Sequence, residues 1–123
     1  MVVCVPVAGD GSVDPRWGRA DRVAIAEVTA SGIEGWQEFE VGWGTLHDAG
    51  PEGSHHARVA RFLLDHHVEV VVVDHMGEPM RLMLQQMGLE VHPGAGGDAR
   101  QAALAVNGSG PNGDVVRQAR PPG

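Results

Sequence analysis

The chain has 123 residues and contains neither lysine nor tyrosine, and Cys4 is its only cysteine. A lone thiol cannot build a disulfide framework, so a reducing cytoplasm is the expected compartment. Three Trp and two Phe are the whole aromatic content, too few for a base-stacking platform. All nine cationic side chains are arginines, and the net charge is -7. They form no basic stripe, so no nucleic-acid partner is expected. No apolar run reaches the roughly 18 residues of a membrane-spanning helix, so no membrane partner is expected either. The opening MVVCVPVAGDG lacks a basic segment followed by a long apolar one, so a secretory leader is not expected.

What remains reads as one domain, with 42% hydrophobic residues to fill a core. Residues 1–106 carry the pattern of a folded unit. From Asn107 the composition falls to NGSGPNGDVVRQARPPG, so 107–123 is expected to be a disordered tail. Val2 to Val7 predicts a buried strand, with Pro6 making its end one-sided. Val23 to Thr29 and Ile33 to Val41 predict a hairpin around Ser31-Gly32, with Ile33, Gln37, Phe39 and Val41 sharing one face. Gly42 to Gly53 reads as a mobile glycine-rich loop. Ser54 is the expected N-cap of a helix ending at His66 or His67, with His56, Ala60, Leu63 and Leu64 inward. Val68 to Val73 predicts a central strand. Glu78 or Pro79 opens a helix with Met80, Met83, Leu84 and Met87 as its apolar stripe, closed by Gly88. A short strand over Leu89 to Pro93 follows. Asp98 with Gln101 resembles a capping box for a last helix with Ala99, Ala102, Ala103 and Val106 inward. This order predicts an α/β protein: a mixed five-stranded sheet in a three-layer α/β/α arrangement.

In such sheets ligands bind beyond the carboxyl ends of parallel strands. Three loops qualify: Ala8 to Ser12, Asp74 to Gly77, and Gly94 to Gly97. Two of them lead into helix N-termini, where free N–H groups favour an anion, and glycines such as Gly9, Gly96 and Gly97 let a ligand approach the backbone. Beside Asp10 at the first loop, Arg16, Trp17, Gly18 and Arg19 place two forked cations around an aromatic, which suits an oxyanion clamp or two solvated arginines. His75 and Met76 read equally as ligands or as a loop cap and a core thioether. The pairs His55-His56 and His66-His67 lack the i, i+3 or i, i+4 spacing of zinc sites, which favours surface or cap roles for His56, His66 and His67. His47 and His55 could also cover a metal cluster from a loop above it. Cys4, in mid-strand, reads as a small core residue.

Three stretches together resemble the dinitrogenase iron-molybdenum cofactor biosynthesis domain family: VPVAGDGSVDPRWGRADRVAIAEV, GSHHARVARFLLDHHVEVVVVDHMG and MLQQMGLEVHPGAGGDARQAALA. The resemblance implies a ribonuclease-H-like fold and a non-enzymatic protein. It implies binding of an anionic metal-sulfur cluster: the iron-molybdenum cofactor, its precursor, or another Mo-, Fe- or Cu-sulfur cluster. Cluster-assembly proteins are the implied partners of a monomer or weak homodimer. The cofactor-binding set is then Gly9, Asp10, Arg16, Trp17, Gly18, Arg19, His75, Met76, Gly77, Gly96 and Gly97, with His75, His47, His55 and His56 as candidate metal ligands. Arg16 and Trp17 stand where the family commonly has His and Phe, whereas Gly18, Arg19, Met76 and Gly77 match. Two other readings stay open. One is a metal-dependent phosphodiesterase using Asp10, Asp74 and Glu78. The other is a ligand-free regulatory protein acting through its loop and tail.

Overall fold

The computed structural model describes residues 1–44 and 52–109. Its strands are β1 (Val2–Pro6), β2 (Arg22–Thr29), β3 (Gly32–Glu40), β4 (Val70–Val72) and β5 (Glu90–His92). The helices are α1 (Glu52–Asp65), α2 (Glu78–Gln86) and α3 (Ala99–Ser109), and Trp17–Arg19 form one 3₁₀ turn. The sheet order is β3-β2-β1-β4-β5. β1 runs antiparallel to β2 and parallel to β4, and β4 runs parallel to β5. Parallel strands need crossovers, and α1 and α2 supply them.

Alternation along β1 sends its side chains into two separate cores. Cys4 joins Val23, Val71, Val59, Leu63, Met80 and Leu84 beneath α1 and α2. Val3, Val5 and Val7 join Ala24, Ala26, Val70, Val72, Ala99 and Ala103 beneath α3. The sheet is therefore covered by helices on both faces, and the run Val70 to Val73 is buried throughout.

Four expectations about faces, caps and loops are corrected. Ile33 packs with the α3-side core, not with Phe39 and Val41. The β2–β3 register shifts between Glu27, opposite Gly35, and Val28, opposite Ile33. This bulge places Glu34 as an extra residue and flips the side chain beyond it. In α1 the inward residues are His55, Val59 and Leu63, while Leu64 is 57% exposed and His56 and Ala60 are only half-buried. The helix also begins at Glu52, so Ser54 lies within it. Trp43, assigned to a mobile loop, is 1% exposed. Its N–H donates to the Ala20 carbonyl at 3.0 Å, and its ring packs edge-on against Trp17 at 5.1 Å. Residues 45–51, the rest of that loop and the location of His47, lie outside the described residues, as does the tail beyond Ser109.

Both crossover helices end in the same way. The N–H of Val68 reaches back to the Leu63 carbonyl and that of His67 to Leu64; Leu89 and Gly88 repeat this with Leu84 and Gln85. This is the Schellman pattern, with Leu63 against Val68 and Leu84 against Leu89 all in one core. The residue at the turn needs positive φ, which Gly88 adopts at 88° and His67 at 57°. α3 starts as expected, with the Asp98 carboxylate accepting from the Gln101 N–H at 3.0 Å.

Candidate functional site

The carboxyl ends of β1, β4 and β5 lie side by side, and their loops are laced together. The Val13 N–H donates to the Gly97 carbonyl at 2.8 Å, Ala99 donates to Gly11 at 3.0 Å, and Gly94 donates to Asp74 at 2.9 Å. Within the first loop Asp10 folds back on Ser12, accepting from its N–H at 3.0 Å and its hydroxyl at 2.6 Å. Those donors hold the Asp10 carboxyl below the usual carboxylate range. Asp10 therefore shapes the loop, as Asx turns do.

The 3₁₀ turn Trp17–Arg19 divides this rim. On one side a cleft of about 160 Å³ is lined by Trp17, Gly18, His55, His56, Gly77 and Met80, with Pro79 beside them. On the other side a wider cleft of about 570 Å³ holds Gly9, Asp14, Arg16, Asp21, Arg22 and Glu40. Gly96 lines a third cavity, of about 350 Å³, between the end of β5 and α3. The expected site residues are thus gathered at one end of the sheet but distributed among separate hollows. His75 is exposed and Met76 half-buried against the α1–α2 core; neither lines the histidine cleft, although Gly77 does. Arg19 is exposed.

In the smaller cleft the His55 side chain is 1% exposed and forms a wall. Its Nδ1 lies 3.5 Å from an Arg58 guanidinium nitrogen, and its Nε2 would sit 3.7 Å from a Cβ added at Gly18. The half-buried His56 ring lies 6.4 Å away. Trp17 is buried and its indole N–H has no hydrogen-bond partner among the described residues. Gly77 caps α2 without any side-chain hydrogen bond, so the first-turn N–H groups of Glu78 and Met80 lack intrahelical partners. Among the described residues no three His, Cys, Asp or Glu side chains gather closely enough to hold a metal ion. His55 and His56 are brought together, but His75 does not complete a chelating set with them.

Asp14 escaped the sequence analysis. Its side chain is 5% exposed, while that of Arg16 is 63% exposed. Its carboxylate accepts from the Arg16 N–H at 2.9 Å, from Nε at 3.2 Å and from a terminal nitrogen at 3.4 Å. These hydrogen bonds, with the Asp14 charge and a smaller contribution from Asp21, raise the Arg16 pKa. The signal available was the Asp-Pro-Arg spacing, since Asp commonly bonds the backbone two residues on.

Fold and rim together define a three-layer α/β protein with a mixed sheet and a ligand-accessible carboxyl edge. The chain belongs to the dinitrogenase iron-molybdenum cofactor family, whose model matches residues 1–108. Solved structures share the fold at low identity. The apo form of the orange protein from Desulfovibrio gigas is 22% identical over 87% of this chain and 88% of that one, with a TM-score of 0.69. A Thermotoga protein described as a candidate NifB protein is 23% identical over 87% of both chains, TM-score 0.64. A Methanocaldococcus jannaschii protein described as a candidate dinitrogenase is 11% identical over 88% of this chain and 89% of that one, TM-score 0.62. No curated protein matches in sequence.

Proposed function

We propose that this protein is a non-catalytic carrier or scaffold for an anionic metal-sulfur cluster, the iron-molybdenum cofactor, a precursor, or a related Mo-, Fe- or Cu-sulfur species. The observation that carries this reading is the cleft in which His55 and His56 meet the uncapped N-terminus of α2 at Gly77. A bare ion needs three or four protein donors, and the described residues offer no such set. A preformed cluster already carries its sulfide ligands. It needs only one or two imidazoles, together with N–H groups and cations that answer its negative charge. That is the inventory of this rim.

His56 is the better-placed donor, because its ring keeps some exposed surface while His55 is walled in. Gly18 keeps the space beside His55 open. His75, Met76, Arg16 and Arg19 are the outer contacts of this reading, and His47, outside the described residues, is kept as a further candidate ligand. Gly9, Gly96 and Gly97 permit close approach of the backbone, and Asp10 and Trp17 hold the walls. The strand order, with β1 between an antiparallel and a parallel neighbour, is the basis for reading the fold as ribonuclease-H-like. The single, fully buried thiol of Cys4 fits a protein working in the cytoplasm, alongside cluster-assembly proteins and as a monomer or weak homodimer.

The test is anaerobic purification with Mo, Fe and Cu analysis, followed by titration with tetrathiomolybdate, alone and with Fe(II) or Cu(I). Binding should quench Trp17 and Trp43 fluorescence and shift the His56 ring resonances, and His56→Ala should weaken it. Protein that stays colourless, unquenched and unshifted with every probe would sink the proposal.

A further inference from the structure

The larger cleft holds a device that the histidine cleft does not need. A nearly buried carboxylate, Asp14, spends its hydrogen bonds on one exposed arginine. Asp14 is itself fixed from behind, its N–H donating to the Pro6 carbonyl at 3.0 Å at the end of β1. It grips the side of the guanidinium, through Nε and one terminal nitrogen. A guanidinium has five N–H donors, so three remain without a protein partner among the described residues. They form its outer edge, and that edge has the spacing of two oxygens on one atom. An unpaired surface arginine samples many rotamers; this one is held in place by a charge that is shielded from solvent.

The surroundings discriminate among anions. Asp14 neutralises the Arg16 charge, and Glu40 is offset by Arg22 at 3.3 Å. Asp21 adds a further negative charge to the same cleft. A dianion such as phosphate would be repelled by that surplus, whereas a carboxylate brings a single charge in the planar shape the outer edge fits. Gly9 forms part of the lining without a side chain to obstruct it.

We propose that the outer edge of Arg16, oriented by Asp14, is a receptor for a small free carboxylate, separate from the cleft formed by His55 and His56. Arg16 is the contacting residue and Asp14 its positioning residue. The carboxylate titration reads this site with no cluster present, so its outcome is distinct from that of the cluster titration.

The test is NMR of the arginine Nε–H groups and backbone amides of the intact chain, titrated with acetate, propionate and inorganic phosphate at matched ionic strength. Acetate or propionate should give saturable shifts at Arg16 Nε–H and Gly9, with phosphate weaker. Asp14→Asn keeps an oxygen for the Arg16 N–H but removes the charge that holds the guanidinium and repels dianions, so the preference for carboxylate over phosphate should fall about tenfold. Arg16→Lys should bind weakly and lose the preference for carboxylate, because an ammonium has no fork. The absence of saturable shifts into the tens of millimolar would overturn the site. An unchanged preference in Asp14→Asn would overturn the role of Asp14, and equal or tighter phosphate binding by the wild type would overturn the carboxylate assignment.

Discussion

The twin helix ends of α1 and α2 invite a reciprocal experiment. Both close with the same pair of backward hydrogen bonds and the same leucine-to-apolar contact, but one turn residue is Gly88 at φ 88° and the other is His67 at φ 57°. A side chain in the left-handed region costs on the order of 1–2 kcal/mol. Glycine avoids that strain but carries about 0.4–1 kcal/mol of extra unfolded-state entropy. A Cβ added at Gly88 would meet nothing within 4 Å, so Gly88→Ala should express the backbone strain alone. The net loss is about 1 kcal/mol, which lowers Tm by roughly 4–8 °C for a domain of this size. His67 is exposed, so His67→Gly loses little packing and should be neutral to about 1 kcal/mol stabilising, raising Tm by up to a few degrees. Thermal melts followed by circular dichroism, with urea unfolding to establish a two-state transition, measure both. If Gly88→Ala melts with the wild type, or His67→Gly melts clearly below it, the account of these two ends is wrong.

Three further outcomes follow from burial and from the rim. Leu63→Ala should lose about 2–5 kcal/mol, whereas Leu64→Ala, one position on, should stay within about 0.5 kcal/mol in urea denaturation; comparable losses at both would return α1 to the phase expected from its sequence, in which both faced inward. Burial pushes the Cys4 thiol well above its ordinary pKa, so at neutral pH a disulfide exchange reagent should label it only at the rate of unfolding. Fast labelling of native protein would contradict the burial. The Asp10 carboxyl is held below its unfolded value of about 3.9 by Ser12. Its small contribution is therefore present above that value and lost as pH falls through the lower folded one. Asp10→Asn should trail the wild type in urea midpoint at pH 6 and converge with it near pH 2; a constant gap would refute this.

Much of the architecture was legible because the relevant signals are local. The stripe from Met80 to Met87 repeats at helical spacing, and Val70 to Val73 is apolar on both faces, so α2 and the central position of β4 followed directly. The phase of α1 was not legible, since His55-His56 and Leu63-Leu64 are adjacent pairs that offer two faces of similar hydrophobicity. Only Val59, bulkier than Ala60, separated them. The bulge at Glu34 left no composition signal, because an extra polar residue on an edge strand resembles its neighbours. Trp43 was hidden by the glycines around it. The position of the rim followed from the parallel strand ends. Its partition did not, because it depends on a 3₁₀ turn set by side-chain bonds between Asp14 and Arg16 and by Trp17 packing on Trp43.

β1 precedes the other four strands in the chain, yet it occupies the middle of the sheet. Its antiparallel edge can zip to β2 within a short stretch of nascent chain. Its parallel edge waits for Val70 and Val71, which arrive only after α1 has been made. Until then a three-stranded meander presents the open backbone of Val3 and Cys4 to any passing strand. Capture of β4 is a long-range, entropically costly closure, and it also places Asp74 beside the first loop. The same late event that covers this open edge brings the three loops of the rim together, so the rim exists only once the sheet is complete.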